Sequence, residues 1–285
     1  MSFLASIFFA AVTVCSWNGK WFPSGRAEHR ASPKVENRTV DDAGAMLRNG
    51  LLKADPACTN DVIICLNEMR DLKVVERLAD VIGRTNLSVA VITAYRRRDR
   101  FDMQQDVILT TLPVVSSNWA KWKNAKEETP PRGYAHASLL FPNSVTGEVY
   151  CVHLKSNYGQ TSENIARLNR AKRSRSIIQL TAIEKPRRGG RRNPVIIAGD
   201  LNADKWSEDF KEETIFDILA DAGFVTPLEL LDPKERITYP KTGKWGGTTL
   251  DYIFMRGFKV CPGDKPFVAS AKGISDHDVV FVNIE

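Results

Sequence analysis

No segment of this 285-residue chain is long and apolar enough to cross a bilayer as a helix. The nearest, Phe3 to Cys15, falls short of the roughly 20 residues a span requires. It also lacks the basic start of a secretory leader. Residues 1–10 therefore read as an apolar lead-in or a leader remnant, followed by a first strand at Ala11–Trp17. Cleavage beyond Val12 would remove that strand, and cytoplasmic and secreted locations both stay open. Cysteine is sparse: Cys15, Cys58, Cys65, Cys151 and Cys261 include no CxxC pair, which argues against a zinc site. Cys15, Cys65 and Cys151 lie in apolar runs, where buried free thiols are expected. Histidine is scarcer still, at four, and His29 and His136 belong to no motif. There is no internal repeat and no linker long enough to divide the chain. Residues 11–285 thus form one expected domain, with no stable membrane insertion and a monomeric state.

What is present is a soluble, basic composition. A hydrophobic fraction of 43% with 26% charged residues suits a globular core, and the net charge of +6 favours a polyanionic partner, nucleic acid or an anionic lipid surface. Three basic features could contact phosphates: Arg96-Arg97-Arg98 with Arg100; Arg167, Arg170, Lys172, Arg173 and Arg175; and Arg187-Arg188 with Arg191-Arg192. Solvated charge is the ordinary reading of such runs.

Apolar runs alternate with helical periodicity. Strands are expected at Asp61–Leu66, Leu87–Tyr95, Asp106–Thr111, Ala135–Phe141, Glu148–Leu154, Thr249–Met255, Pro266–Ser270 and Asp278–Ile284. Helices are expected at Thr39–Lys53, Arg70–Ile82, Ser162–Glu184 and Glu208–Ala222. Ser116–Gly133 reads as a polar loop whose Trp119 and Trp122 either stack on bases or tuck beneath it. The pattern predicts an α/β fold of two packed sheets with helices outside.

The chemistry gathers where strands end. Val195-Ile196-Ile197-Ala198-Gly199 runs into Asp200, Asn202 and Asp204; other strand ends carry Asn18, Asn67-Glu68, His153 and Asp251, and Asp276-His277 precedes the last strand. Strand ends are where α/β sheets place their sites. Carboxylate and amide oxygens suit magnesium or manganese, and histidines move protons near neutral pH. A phosphodiester is the natural substrate for that set. Asp204 and Asp278 read as turn or cap residues.

The ordered set Ser16-Trp17-Asn18, Asn67-Glu68-Met69, His153-Leu154-Lys155-Ser156-Asn157, Gly199-Asp200-Leu201-Asn202, Leu250-Asp251-Tyr252 and Ser275-Asp276-His277 resembles the endonuclease/exonuclease/phosphatase superfamily, the deoxyribonuclease I-like proteins. Gln104–Val115, containing Ile108–Pro113, resembles the family's strand before a Ser-Arg-x-Pro-like turn, with Thr110-Thr111 in place of Ser-Arg. The resemblance spans about Val12 to Ile284 and implies a four-layer α/β/β/α sandwich of two mixed sheets with outer helices. It implies metal binding by Glu68, Asn18 and Asp276, with Mg2+ or Mn2+ as the ion. Asp200 would align or activate water and Asn202 would orient phosphate. His277, oriented by Asp251, would contact the scissile phosphate or act as base, and His153 would be a general acid. Asn157 would contact phosphate, with Lys155 and Lys244 also placed to touch substrate. The implied activity is a divalent-metal-dependent phosphodiesterase, foremost a nuclease on DNA or RNA. The alternative is a phosphatase or phosphodiesterase on inositol phosphates, phospholipid or another small phosphoester.

Overall fold

Strict side-chain alternation sorts the strand residues onto two faces, and that sorting builds the architecture. A computed structural model describes residues 11–25, 31–97, 100–123, 132–157, 162–184, 193–240 and 247–285. In chain order the elements are β1 (Val12–Phe22), α1 (Pro33–Ala54), β2 (Asp61–Met69), α2 (Leu72–Ile82), β3 (Ser88–Ile92), β4 (Arg96–Arg97), β5 (Arg100–Phe101), β6 (Gln105–Thr110) and β7 (Val114–Lys121). There follow β8 (Gly133–Leu140), β9 (Thr146–His153), α3 (Glu163–Ile183), β10 (Val195–Asp200), α4 (Ile215–Asp221), β11 (Asp251–Arg256), β12 (Phe267–Ala269) and β13 (Val279–Ile284).

One sheet has the order β12-β13-β1-β2-β6-β3 and the other β11-β10-β9-β8-β7. Both are mixed: β1 runs parallel to β2, and β9 parallel to β10, while their other neighbours are antiparallel. Val12, Val14, Ile63 and Cys65 face the second sheet and join Ala135, Ala137, Val149 and Cys151 in one core. The alternate residues Cys15, Trp17, Ile64 and Leu66 face outward and bury α1 and α2 through Leu47, Val75 and Leu78. On the far side, Ile177 and Leu180 of α3 and Ile215 and Leu219 of α4 close over Ile197, Tyr252 and Phe254. The result is the α/β/β/α sandwich expected. No helix of the described residues is long and apolar enough to cross a membrane.

Three boundaries differ from expectation. Helix α1 begins at Pro33, because Ser32 accepts from Val35 N and the proline suits a first helical turn. Residues 208–222 are not one helix: a 3-10 turn at Glu208–Phe210 precedes a short α4, and Glu213 between them is drawn into a fully buried ion pair with Arg173. The expected loop at 116–133 gives its first six residues, 116–121, to strand β7, and residues 124–131 lie outside the described residues. The strand lies at a sheet edge, paired only with β8, and almost every residue on it is exposed. A strand with neither face buried carries no apolar alternation for sequence reading to find. All five cysteines are free thiols.

Candidate active site

The second sheet contributes a straight row. His153, Asp200 and Asp251 stand at matching positions on the adjacent strands β9, β10 and β11. Directly paired residues project to the same face, so the three side chains converge. All three are buried. Gly199 makes the row possible: its φ is +137°, and a Cβ there would lie 1.9 Å from the Val152 carbonyl oxygen.

The first sheet contributes irregular backbone. Asn18 pairs with Asn67 across β1 and β2, after which the ladder shifts register. Lys20, Trp21 and Glu68 have φ of 49°, 50° and 62°. By alternation Glu68 would follow Leu66 to the outer face. Its left-handed backbone breaks the alternation, and the carboxylate turns inward, with Oε2 accepting from Trp21 N at 2.8 Å. Oε1 is left 3.5 Å from Asn18 Nδ2 and 3.8 Å from His153 Nε2.

The two contributions meet. Asn18 Nδ2 donates to Asp200 Oδ2 at 2.9 Å, while its Oδ1 accepts from Lys20 N. His153 Nε2 lies 3.4 Å from Asp200 Oδ2. Asn202, at φ 51°, donates its main-chain N–H to Asp200 Oδ1 and its side-chain amide to Leu154 O. His277 Nδ1 is 2.7 Å from Asp251 Oδ2. The His277 loop is fixed by Ser275 Oγ, which donates to Asn18 O and accepts from His277 N, and by Trp17 Nε1 on His277 O. Asp276 turns to Lys20, 3.0 Å from its Nζ.

Burial drives the titrating groups apart. It lifts Asp200 to about 7, against the pull of His277. Burial would lower His277, but Asp251 beside it, helped by Asp200 and Asp276, raises it to about 10. His153 is pushed well below the ordinary imidazole range, first by burial and then by Arg132, His277 and Lys155.

The donor set fits a hard divalent cation. Glu68 Oε1 faces the centre with only a long contact, 3.5 Å, from Asn18 Nδ2, and the buried Asp251 Oδ1 has no hydrogen-bond partner among the described residues. Ligand atoms of Asp200, Asp251 and His277 lie within 4.8 Å of one another. Oxygen-rich sets of this kind suit magnesium or manganese.

Other expected contacts divide. Asn157 Oδ1 lies 3.5 Å from Arg173 Nη1, and Lys155 O accepts from the same nitrogen at 2.6 Å. Arg173 is wholly buried, so its place in a solvent-facing basic stripe is corrected: it anchors the loop after His153. Arg170 is likewise paired with Glu163 and Glu212. Trp122 tucks beneath the sheet against Tyr134, whereas Trp119 is 38% exposed, edge-on to Tyr95. Asp204 accepts from Trp206 N and Thr249 N, Asp278 from Ala271 N, and His136 pairs with Glu148, all structural uses. Lys244, His29, Arg98 and the Arg187–Arg192 run lie outside the described residues.

Sequence reading missed a buried chain behind the site. Tyr95 OH donates to Asp106 Oδ2 at 3.2 Å, Asn67 Nδ2 donates to Asp106 Oδ1 at 2.7 Å, and Asn67 Oδ1 accepts from Asp200 N at 3.0 Å. Asn67 thus ties the two sheets together at the reacting end. Burial raises Asp106 to about 7, with Asn67 and then Arg132 opposing. Asp106 and Arg132 sit in no motif; only Asn67 had a signal, its place beside Glu68.

The Endonuclease/Exonuclease/phosphatase family model matches residues 16–277, and the chain belongs to that family. No curated protein matches it. Among solved structures it is similar to an endonuclease/exonuclease/phosphatase of Beutenbergia cavernae, at 16% identity and a TM-score of 0.67, covering 97% of this chain and 72% of that one. It is similar to sphingomyelinase C of Streptomyces griseocarneus, at 19% identity and a TM-score of 0.59, covering 96% and 99%. It is also similar to D. rerio TDP2 complexed with a single-strand DNA product, at 15% identity and a TM-score of 0.59, again covering 96% and 99%. Likeness at this level extends to the fold.

Proposed function

We propose that this member of the endonuclease/exonuclease/phosphatase family is a divalent-metal-dependent phosphodiesterase acting on DNA or RNA. The observation that carries the reading is the meeting of the His153–Asp200–Asp251 row with Glu68 and with the Asp251–His277 pair. Groups whose environments push their proton affinities apart define acid and base. Asp200, at about 7, is poised to orient water and accept its proton. His277, held protonated by Asp251, stabilises charge growing on a phosphoryl oxygen. His153 is neutral at pH 7 in this environment and serves as a hydrogen-bonding contact to the phosphate or leaving oxygen rather than as the first acid. Asn202 orients the phosphate.

Glu68 is the proposed principal metal ligand, and Asn18 and Asp276 are further ones. Each of those two exchanges a present contact to do so: Asn18 turns its amide oxygen inward, and Asp276 leaves Lys20. When bound, the cation, Mg2+ or Mn2+, would polarise a phosphoryl oxygen and offset its charge. Lys155 and Asn157, on the loop anchored by Arg173, are proposed to contact substrate phosphates.

The basic net charge supports nucleic acid, and so does the DNA product held by the D. rerio relative. A second reading is a phospholipid or small phosphoester. It draws on the Streptomyces sphingomyelinase and on the exposed Val114, Val115 and Trp119 of β7, an apolar strip suited to a lipid surface. The test incubates the chain with supercoiled plasmid, single-stranded DNA, RNA, sphingomyelin and phosphoinositides, with magnesium and with chelator. Magnesium-dependent nicking or shortening of nucleic acid is expected. Turnover of lipid alone would transfer the reading to the second class.

A further inference from the structure

Arg132 is the most unusual charge among the described residues. It precedes β8, is only 5% exposed, and brings Nη2 to 3.5 Å from His153 Nε2. That histidine nitrogen in turn faces Asp200 Oδ2 at 3.4 Å and Glu68 Oε1 at 3.8 Å. Nε and Nη1 of Arg132 are buried and have no hydrogen-bond partner among the described residues. A guanidinium is a permanent cation with five N–H donors, and burying it with donors unmade is strongly unfavourable. Ordinary burial of an arginine does not look like this: Arg173 in the same chain is also buried, and its Nε, Nη1 and Nη2 all donate, to Glu213, Lys155 O and Asn157.

A counterion role does not account for Arg132. Asp106 feels its charge, yet Asn67 and Tyr95 take one oxygen of Asp106 each. No carboxylate lies within 4.0 Å of Arg132 among the described residues. The guanidinium is set beside an imidazole, where two positive groups would repel, and where burial first and the Arg132 charge second push His153 toward its neutral form. What the position lacks is an anion.

We propose that Arg132 is a phosphate-binding residue of this site, its guanidinium taking non-bridging oxygens of the phosphoryl group that Asp200 and His277 act on. Each planar edge of the guanidinium pairs Nη2 with one of the two free nitrogens, a fork that matches two oxygens of one phosphate. This rests on the phosphoester reading above and adds a recognition residue that no strand-end motif contains. It also gives the site its own positive charge opposite Glu68 and Asp200, so that an anionic ester can approach those carboxylates.

The experiment uses the full chain, with R132M and R132K beside H277A. Inorganic phosphate is titrated by calorimetry in chelator and in magnesium, thermal unfolding is followed without phosphate, and hydrolysis of bis(p-nitrophenyl) phosphate is measured. For R132M the expectation is phosphate binding at least about tenfold weaker and hydrolysis about a hundredfold slower, as when one preorganised donor to a developing oxyanion is removed. Its unfolding temperature should be equal to or above that of the parent, because an unpaired buried charge is gone. R132K, which keeps charge but loses the fork, should recover neither binding nor rate. Wild-type phosphate affinity and rate in R132M, or in R132K should R132M fail to fold, would overturn the proposal. So would a fall in unfolding temperature with phosphate affinity unchanged, the mark of a purely structural arginine. Should the parent bind phosphate through Arg132 yet hydrolyse no phosphoester, the phosphodiesterase reading falls and the arginine assignment stands. Should the parent hydrolyse and R132M match it, the reverse holds.

Discussion

The two sheets deliver their side chains to the site in opposite ways. The β9–β10–β11 sheet uses regular pairing: His153, Asp200 and Asp251 share one row and one face, and within the three strands only Gly199 departs from ordinary backbone, with Asn202 left-handed in the turn beyond β10. The β1–β2 side uses irregular pairing: the ladder slips after Asn18, three non-glycine residues adopt positive φ, and Glu68 reaches the centre only because its strand leaves the alternation. Regular pairing sets position cheaply and holds it with ladder hydrogen bonds. Irregular backbone costs of order 1–3 kcal/mol per strained residue, yet it lets one strand end present consecutive side chains to the same centre. A site needing both a proton-transfer row and a cation ligand draws on both.

The sharpest test of the regular row is its histidine partner. H277A should reduce kcat about a thousand-fold on whichever phosphoester is turned over, with the fold retained, as for other deletions of a catalytic group. A rate within tenfold of the parent would remove His277 from the chemistry. Next comes the one backbone exception. G199A forces a Cβ against the Val152 carbonyl and requires φ +137° of an alanine. It should lower stability by about 2–3 kcal/mol, read by denaturant unfolding.

On the irregular side, E68Q keeps the oxygen that accepts from Trp21 N and removes the charge. The divalent-ion concentration for half-maximal activity should rise about 10–100-fold, while unfolding without metal changes little. An unchanged metal requirement would separate Glu68 from the cation.

The smallest effect concerns Asp106, which holds Asn67, the residue that joins the two sides by accepting from Asp200 N. The folded-state value of Asp106, about 7, lies above that of an unfolded aspartate, about 3.9. The folded state therefore binds the extra proton, and this group's contribution to stability is present below pH 4 and lost as pH rises toward 7. D106N cannot titrate and keeps polar atoms for Asn67 and Tyr95. Its unfolding free energy should lack that part of the decline between pH 4 and 7. An identical pH slope in both proteins would show that Asp106 ionises normally.

How much of this was legible in the sequence differs along the same divide. The apolar run Val195–Ala198 announced a buried central strand, but its pairing with the strands that end in His153 and Asp251 is a fact of the tertiary structure. Asp204 was separable from Asp200 and Asn202 as a turn residue, and it does cap the turn with Trp206 N and Thr249 N. Strand β7 was not legible, because an edge strand exposed on both faces has no periodicity to read. Arg173 was read as surface charge because its spacing on α3 matches its basic neighbours; only packing against Glu213 distinguishes it.

By itself the sequence determined two packed sheets with helices outside, most of the elements in their order and the residue types that reach the strand ends, because burial imposes a period of two on strands and 3.6 on helices whatever the partners are. The four-layer α/β/β/α sandwich was what the family resemblance implied. Tertiary structure alone decided which of those ends share a centre, how Glu68 turns inward, and that Asn67, Asp106 and Arg132 stand behind or within it. Those facts depend on pairings between residues far apart in the chain and on backbone angles at single positions, and neither leaves a local pattern in the order of amino acids.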